Sequence, residues 1–444
     1  MDIPVASPSQ FPPFRLWIAY TLDWVSAHTG RILALIVVLA IALDLRRIWL
    51  GPISLQAGQT ADWWTIAVNL IKGQGYASCF TRYFPFCGPA NQLTASREPV
   101  PVLLFAAVAF LTNQSLLAAV GVEALVNVAI LILIFLLTRR MLNKPVALLG
   151  ALAWAIYRPA LDLVPQLSGD LIATLFVTLG LYFVMRARES ERLLDWILGG
   201  AALGLSALSR SAALAIVAVI VAGLLIERLF SVQSVAKKLR LSLIMTAVVL
   251  LVMTPWVVRN DLVFGQPAIA STLTGYNLYR HNYMLGSNNY FRYVGGSEGD
   301  QAIASLVASH PELPGTENEA QMDAFYRSGA LKVITAHPVQ YVLLSAYRFL
   351  PLWFNWQVLE SDGGQPNVKD NLVLLEQGAL LALALFGLGE NGRGFWPIWA
   401  SILIFALSYM AVDSQLRYLI PVMPLVIILS AAGVTKLVRS FSSV

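Results

Sequence analysis

Long uncharged apolar segments recur along the whole of this 444-residue chain, and they limit what it can fold into. Hydrophobic residues make up 57% of the sequence and charged residues only 12%, whereas soluble domains carry roughly 25% charged residues. Inside a bilayer only helices and closed barrels satisfy the backbone polar groups. The strict alternation of a membrane β-strand is absent here. The chain is therefore predicted to be an all-α polytopic membrane protein.

The apolar segments predict a bundle of about 10 to 12 transmembrane helices. They are residues 31–50, 100–112, 116–137, 146–160, 168–185, 195–209, 211–227, 241–258, 338–356, 373–389, 395–411 and 417–438. Segments 100–112 and 116–137 must cross once between them to satisfy the charge pattern described next, and 338–356 is ambiguous in the same way. Residues 11–28 resemble an interfacial helix, because aromatic residues recur there near helical spacing.

Lysine and arginine cluster at particular span ends, and this sets the expected orientation. The clusters are Arg139-Arg140, Arg186 to Arg192, and Arg228 to Arg240. Such clusters face the cytoplasm, which places loop 259–335 on the outer face, and loop 51–99 as well if the N-terminus is cytoplasmic. The net charge of +5 therefore indicates membrane topology and predicts no nucleic-acid partner.

The long polar loops divide the chain into four predicted parts. They are an N-terminal cytoplasmic or interfacial segment (1–30), a first transmembrane module (31–258) that includes outer loop 51–99, an outer-face loop or lid (259–335), and a second transmembrane module (336–444).

Two acids, Asp62 and Glu98, bracket the first outer loop. Acids are scarce in so apolar a chain, so a pair at the membrane surface indicates chemistry there; the alternative is two solvated loop charges. Residues Thr60 to Lys72 predict a short amphipathic helix that ends at Gly73. Its tryptophans favour a position along the membrane surface.

The two cysteines of the chain, Cys79 and Cys87, lie in this same loop. A close pair in one polar loop predicts a disulfide if the loop faces an oxidising compartment. Two free thiols are the alternative.

Seven short motifs follow one another in a recognisable order. They are Asp62 with Lys72-Gly73-Gln74-Gly75-Tyr76, Arg97-Glu98-Pro99-Val100-Pro101, Gly204 to Arg210, Pro255-Trp256-Val257-Val258-Arg259-Asn260, Gly275-Tyr276-Asn277-Leu278, Ala336-His337-Pro338, and Arg417 to Pro424. The ordered set resembles the GT-C fold family of polytopic glycosyltransferases that use lipid-linked sugars. The branch it most resembles contains bacterial aminoarabinose transferases and protein O-mannosyltransferases.

The resemblance implies an enzyme that takes a sugar from a polyprenyl phosphate, such as undecaprenyl phosphate, on the outer face of a bacterial cytoplasmic membrane. The acceptor would be a lipid, a glycan or a protein. Asp62 corresponds to the family's loop-one aspartate, the general base, and Glu98-Pro99 corresponds to its loop-end acid-proline element. Two departures weaken the match: Trp63 stands where members often have a second acid, and Glu-Pro-Val-Pro replaces Glu-Lys-Pro-Pro or His-Pro-Pro.

Inverting sugar transfer needs a carboxylate that takes the acceptor's proton, and a phosphate leaving group needs cations. The candidate phosphate-binding residues are Arg97, Arg158, Arg210, Arg259 and Arg417. Arg210 divides two apolar segments, where a charge is costly unless it is paired or used; an ordinary outer-loop arginine is the alternative. Arg259 ends a span, where snorkelling to the interface is the commoner role.

The second outer loop supplies the candidate substrate contacts, which are Tyr276, Asn277, Tyr279, Arg280 and His281. For His281 an ordinary loop histidine is the alternative. The four histidines of the chain show no metal-ligand spacing, so no metal and no cofactor are predicted. Asp170, which follows Ser168-Gly169, is predicted to cap a helix, with a catalytic role as the alternative.

Two functions from other classes remain open at the level of sequence. A transporter or flippase of lipid-linked sugars would need ionisable residues inside the spans and broken helices. A non-catalytic membrane scaffold would not depend on Asp62 or Glu98.

Overall fold

A computed structural model of the chain describes residues 14–51, 59–86, 92–229, 235–292, 294, 296–354, 368–388 and 394–443. This part of the chain is built of helices and one two-stranded antiparallel ladder, β1 (Ala77–Ser78) with β2 (Gln92–Leu93). The helices up to residue 264 are α1 (Phe14–Ala27), α2 (Thr29–Leu50), α3 (Gln59–Ile71), α4 (Pro99–Leu111), α5 (Leu116–Met141), α6 (Lys144–Ile156), α7 (Arg158–Leu163), α8 (Gly169–Ser190), α9 (Leu193–Ala207), α10 (Ala213–Leu229) and α11 (Val235–Phe264).

Eight further helices complete the described chain. They are α12 (Thr274–Arg280), α13 (Gly296–Ala308), α14 (Glu319–Ala336), α15 (Pro338–Tyr347), α16 (Phe349–Phe354), α17 (Val368–Gly387), α18 (Trp396–Val412) and α19 (Met423–Ser443), with 3-10 turns at Tyr283–Gly286 and Leu416–Val422.

Membrane-spanning helices dominate the described chain, which confirms the all-α polytopic class. Five helices are long and apolar enough to cross a bilayer: α5, α8, Leu239–Phe264, α17 and Leu416–Val438. Five shorter apolar helices accompany them, namely α4, α6, α9, α10 and α18. The expected first span is α2, a 22-residue helix that carries three charged residues, Asp44, Arg46 and Arg47, near its end.

The described part of the ambiguous segment 338–356, which ends at Phe354, forms two short helices instead of one span. Helix α15 has 10 residues and α16 has 6, and a 10-residue helix is only about 15 Å long. Between them the buried Arg348 donates to the backbone carbonyl of Met410 at 3.2 Å. A charged side chain that must reach a protein partner thus interrupts the apolar run. His337 precedes α15 and Pro338 opens it.

The structure also shows how α4 and α5 are oriented relative to each other. Glu123, early in α5, accepts from the backbone N–H of Ser168 at the start of α8, 3.2 Å away. The start of α4 lies at this end too, because the backbone N–H of Val100 donates to the backbone oxygen of Leu208 at 3.1 Å and a Cβ at Gly169, the first residue of α8, would lie 2.5 Å from the backbone oxygen of Ser209. Helices α4 and α5 thus begin at the same end of the bundle, and their single crossing stays a prediction.

Glycines allow the central helices to pack closely against one another. A Cβ at Gly180 would lie 2.9 Å from the side chain of Leu203, and one at Gly200 would lie 2.6 Å from the backbone oxygen of Met245. Small residues allow such contacts between helices in a membrane. The packing of α8, α9 and α11 therefore brings the start of α8 next to the end of α9, where the site is built.

Helix α3 packs against the bundle through its aromatic face. Trp63 is 1% exposed, and its ring lies against Gly169, where a Cβ would be 3.2 Å from the indole and 2.5 Å from the backbone oxygen of Ser209. Trp64 is buried as well. The protein itself therefore covers both tryptophans, while the position of α3 along the membrane surface stays a prediction. Gly73, at a φ of 76°, ends the turn that follows α3, as predicted.

Candidate active site

A cavity of about 610 Å³ lies where the loops of the first half meet those of the second half. Five arginines line it, namely Arg82, Arg97, Arg210, Arg280 and Arg417, together with three acids, namely Glu98, Asp300 and Asp413. Serine and tyrosine side chains complete much of the wall. The excess of guanidinium groups makes the cavity suited to an anionic ligand.

Asp62, in the first turn of α3, lies directly behind this wall and is 3% exposed. Its Oδ2 accepts from Arg82 Nη2 and from Arg97 Nη2, each at 2.5 Å, and from the Tyr83 hydroxyl at 3.1 Å. Arg82 and Tyr83 lie in the turn after β1. The aspartate is thus joined to the cavity through three side chains that line it.

Arg97 is the buried member of this group. Its side chain is 9% exposed, donates to the Tyr83 hydroxyl at 2.8 Å and stacks over the Trp63 ring at 5.7 Å. Burial acts to lower its pKa, but Tyr83 and Asp62 raise it overall, so Arg97 stays charged. A permanent cation therefore sits between Asp62 and the cavity.

Glu98 borders the cavity just before α4 and is 7% exposed. Its Oε1 accepts from the backbone N–H of Ser211 at 2.9 Å and from the Ser211 hydroxyl at 2.6 Å. The Ser211 hydroxyl in turn lies 3.2 Å from that of Ser271. Glu98 therefore links the start of α4, the α9–α10 junction and the loop after α11.

Arg210 fills the α9–α10 junction and pairs with Asp170. Its Nε lies 3.1 Å from Asp170 Oδ1, and it donates to the Tyr409 hydroxyl at 3.1 Å. Asp170 is fully buried, and neither of its carboxylate oxygens has a directed hydrogen-bond partner in the described chain. The guanidinium also lies over the Tyr418 ring, 5.1 Å from its centroid. The arginine that divides two apolar segments is thus paired, as its position in the sequence required.

The predicted cap of α8 is wrong. Ser168 occupies the capping position, and its hydroxyl accepts from the backbone N–H of Asp170 at 3.3 Å. The Asp170 carboxylate instead lies beside Arg210, where it supplies the counter-charge that a buried guanidinium needs.

Arg417 lies on the second-half side of the cavity. Its Nη2 donates to the Tyr418 hydroxyl at 3.3 Å, and its Nε is buried without a hydrogen-bond partner in the described chain. A buried donor of this kind is available to an incoming anion.

Two of the predicted phosphate-binding arginines do not border the cavity. Arg158 lies 3.6 Å from Asp162 on the next helical turn. Arg259 donates to the backbone oxygens of Thr94, at 2.8 Å, and Tyr76, at 3.2 Å, and so secures the first outer loop.

Some of the predicted substrate-binding residues line the cavity and others do not. Tyr276, Asn277 and Arg280 line the cavity, and Asp300 on α13 accepts from the Tyr276 hydroxyl at 2.8 Å and from Arg280 Nε at 2.9 Å. Tyr279 does not line it.

His281 is buried behind the cavity. Its Nε2 lies 3.3 Å from Asp413 Oδ2. Burial lowers the pKa of His281 to about 4, although the neighbouring Asp413 acts to raise it. The imidazole is thus neutral at physiological pH.

Cys79 is disulfide-bonded in the structure. Its predicted partner, Cys87, lies outside the described residues.

Sequence reasoning missed several cavity residues, among them Arg82, Tyr83, Asp300 and Asp413. Each stands near other polar residues in the sequence, so no spacing distinguishes it. Within the described ranges, no three His, Cys, Asp or Glu side chains come together as a metal site.

Residues 96–258 match the model of a family described as dolichyl-phosphate-mannose-protein mannosyltransferase. This segment contains Arg97, Glu98 and Arg210, but neither Asp62 nor Arg417. No curated protein sequence matches the chain significantly.

Solved structures of an archaeal oligosaccharyltransferase share the fold over almost the whole chain. The apo oligosaccharyltransferase of Archaeoglobus fulgidus superposes with a TM-score of 0.57 and 17% identity, covering 95% of this chain and 52% of that chain. The same enzyme tethered to an acceptor peptide containing the NVT sequon gives 0.58 and 15%, covering 94% and 50%. ArnT from Cupriavidus metallidurans bound to undecaprenyl phosphate aligns more loosely, with a TM-score of 0.40 and 14% identity, covering 90% and 78%.

This chain spans about half the length of the archaeal enzyme it matches. The resemblance to the GT-C membrane glycosyltransferases is confirmed, in sequence over residues 96–258 and in fold over almost the whole chain.

Proposed function

We propose that this protein is an integral-membrane glycosyltransferase that moves a sugar from a polyprenyl phosphate to an acceptor on the outer face of a bacterial cytoplasmic membrane. The proposal depends on one observation, which is that candidate site residues from distant parts of the chain meet at one cavity. Residues far apart in the chain, from Arg97 and Glu98 to Arg210 and Arg417, line one cavity, and Asp62 lies directly behind its wall.

The position of the cavity supports an outer-face reaction. The cavity is at the end of the bundle where α8 begins, next to Asp170, whereas Arg186 and Arg188 lie near the other end of α8. A 22-residue helix is about 33 Å long, close to the thickness of a bilayer core. Because clustered arginines face the cytoplasm, the cavity faces the opposite side.

The charge of the cavity supports a phosphate-linked donor. Five arginines against three acids line it, and guanidinium groups bind phosphate through paired hydrogen bonds. The matched family is named for dolichyl-phosphate mannose, a sugar carried on a polyprenyl phosphate.

In the proposed reaction Asp62 is the general base. Its carboxylate takes a proton from the acceptor hydroxyl or amine while that atom attacks the anomeric carbon. The bond from the anomeric carbon to the phosphate oxygen breaks, the sugar inverts, and polyprenyl phosphate leaves as an anion. Arg97, Arg210 and Arg417 stabilise that developing charge. Glu98 holds Ser211 at the edge of the reaction volume.

The test replaces the chromosomal gene with an Asp62→Asn variant and profiles lipids and glycans. The expected result is the loss of one surface glycan and the accumulation of its polyprenyl-phosphate sugar. Glu312→Gln is the matched control, because Glu312 is an exposed acid in the second outer loop; it should leave both pools unchanged. A normal glycan profile in a well-expressed Asp62→Asn strain would overturn the assignment of the base.

The same donor, once identified and labelled, separates an enzyme from a transporter. Purified protein in detergent should release free polyprenyl phosphate when donor and acceptor are both present. A flippase or a scaffold would release none.

A further inference from the structure

Asp62 is 3% exposed and is covered by neighbouring side chains in the arrangement described. Three donors converge on one of its oxygens, Oδ2: Arg82, Arg97 and Tyr83. A carboxylate oxygen offers about two lone-pair sites. An acceptor hydroxyl therefore cannot deliver its proton to this oxygen until at least one donor has moved away.

The two arginines differ in how firmly they are held. The Arg97 side chain is 9% exposed and has a second partner, the Tyr83 hydroxyl at 2.8 Å. The Arg82 side chain is 39% exposed, and among the described residues Asp62 is its one hydrogen-bonding partner. Arg82 also lies over the Tyr83 ring, 4.5 Å from its centroid, on the cavity wall. Arg82 is therefore the donor that can leave.

We propose that Arg82 is a positioning residue that moves between Asp62 and the phosphate of the lipid-linked donor. Without the donor, Arg82 covers the carboxylate. When a phosphate enters the cavity, the guanidinium turns to it and uncovers Asp62. This inference rests on the proposed function in one respect, that the cavity binds a polyprenyl phosphate.

The guanidinium of Arg82 has an anionic partner in both positions, because it exchanges the Asp62 carboxylate for the phosphate of the donor. A phosphate monoester or diester offers several strong acceptor oxygens and matches the fork of the guanidinium. Arg97 stays behind to keep the carboxylate in place. The consequence is an ordered reaction in which the base becomes available only after the donor has bound.

A binding cycle tests the proposal without requiring transfer. Undecaprenyl phosphate is titrated against detergent-purified wild type, Asp62→Asn, Arg82→Gln and the double variant. Asp62→Asn weakens the ion pair that Arg82 must leave, so it should tighten binding about fivefold or more. Arg82→Gln should weaken binding. In the Arg82→Gln background, Asp62→Asn should tighten binding no more than the loss of any other nearby negative charge does.

Bulk electrostatics makes a different prediction, because loss of any negative charge near the cavity tightens anion binding. Asp300→Asn is the matched control: it removes a cavity acid that pairs with Arg280, and its effect should be the same with and without Arg82. Equal tightening by Asp62→Asn in both backgrounds would overturn the proposal, as would an Asp62→Asn variant that binds no tighter than wild type.

Two further measurements test whether the variants are folded and whether the shape of the Arg82 side chain matters. Thermal unfolding in detergent shows whether each variant is folded, and Arg82→Lys, which keeps the charge but loses the fork, should retain part of the coupling. Full coupling together with no sugar transfer would refute the proposed function and leave the Arg82 exchange intact. Transfer without coupling would do the reverse.

Discussion

Replacing Asp170 with asparagine removes the carboxylate that pairs with Arg210, and the structure sets the size of the effect. Asp170 has no exposed side-chain surface, and the Arg210 side chain is 11% exposed. Within the described chain no other acid lies within ion-pair distance of Arg210. Asp170→Asn therefore leaves a buried guanidinium without its counter-charge.

Removing one partner of a buried ion pair costs about 3–5 kcal/mol. Arg210 borders the cavity, where water can reach part of the guanidinium, so we expect a loss near the lower limit, about 3 kcal/mol. The control is Asp300→Asn. The Asp300 side chain is 45% exposed beside Arg280, and exposed pairs contribute only about 0–1 kcal/mol.

The assay is denaturant unfolding in detergent, followed by the fluorescence of the 12 tryptophans. The double variant Asp170→Asn with Arg210→Gln should recover most of the lost stability, because no unpaired charge remains. An Asp170→Asn protein within about 1 kcal/mol of wild type would refute the reasoning. So would a double variant as unstable as the single one, since the loss would then not come from the stranded arginine.

Three further predictions concern other parts of the site. Glu98→Gln keeps an oxygen that accepts from Ser211, so the free energy of unfolding should change by less than about 1 kcal/mol. A negative charge that takes part in transfer is lost in this variant, so kcat should fall about 100-fold. An unchanged kcat contradicts that role. The pKa of His281 is lowered by burial to about 4, against about 6.5 in an unfolded chain. Because the unfolded chain binds the extra proton, stability should be complete above about pH 6.5 and fall by about 3 kcal/mol as the pH drops to 4, and His281→Gln should flatten that part of the pH–stability curve. Cys79→Ser should cost about 2 kcal/mol, and wild type treated with reductant should show the same loss; a reductant effect that persists in the variant would contradict the disulfide's role.

The helical framework could be predicted closely because the bilayer imposes a local rule. Segment 116–137 lies within α5, which runs from Leu116 to Met141, and segment 241–258 lies within α11. Each backbone polar group of a span must be satisfied inside its own helix, so the apolar run alone marks the element. The predicted end of α3 at Gly73 follows from a similarly local cause, a backbone angle that glycine adopts readily.

The partners of charged residues could not be predicted in this way. Arg158 lies near the end of a predicted span and Arg82 in a predicted loop, and in the structure Arg158 lies beside Asp162 and Arg82 beside Asp62. Asp170 has the sequence position of a cap but pairs with Arg210, which follows it by 40 residues and a complete helix. Such choices depend on which helix ends the packing brings together.

The class of the protein, the bounds of most apolar helices and the expected orientation follow from the sequence, which also singles out Asp62, Glu98 and Arg210 as candidate site residues. The position of Asp62 behind the cavity wall, the two arginines that share one of its oxygens and the location of Arg158 and Arg259 away from the cavity depend on the packing of the helices. The physical reason is the distance along the chain over which each effect acts. Hydrophobicity and backbone conformation act over a few neighbouring residues, whereas the pairing of charges depends on the close packing of helices that are distant in the chain.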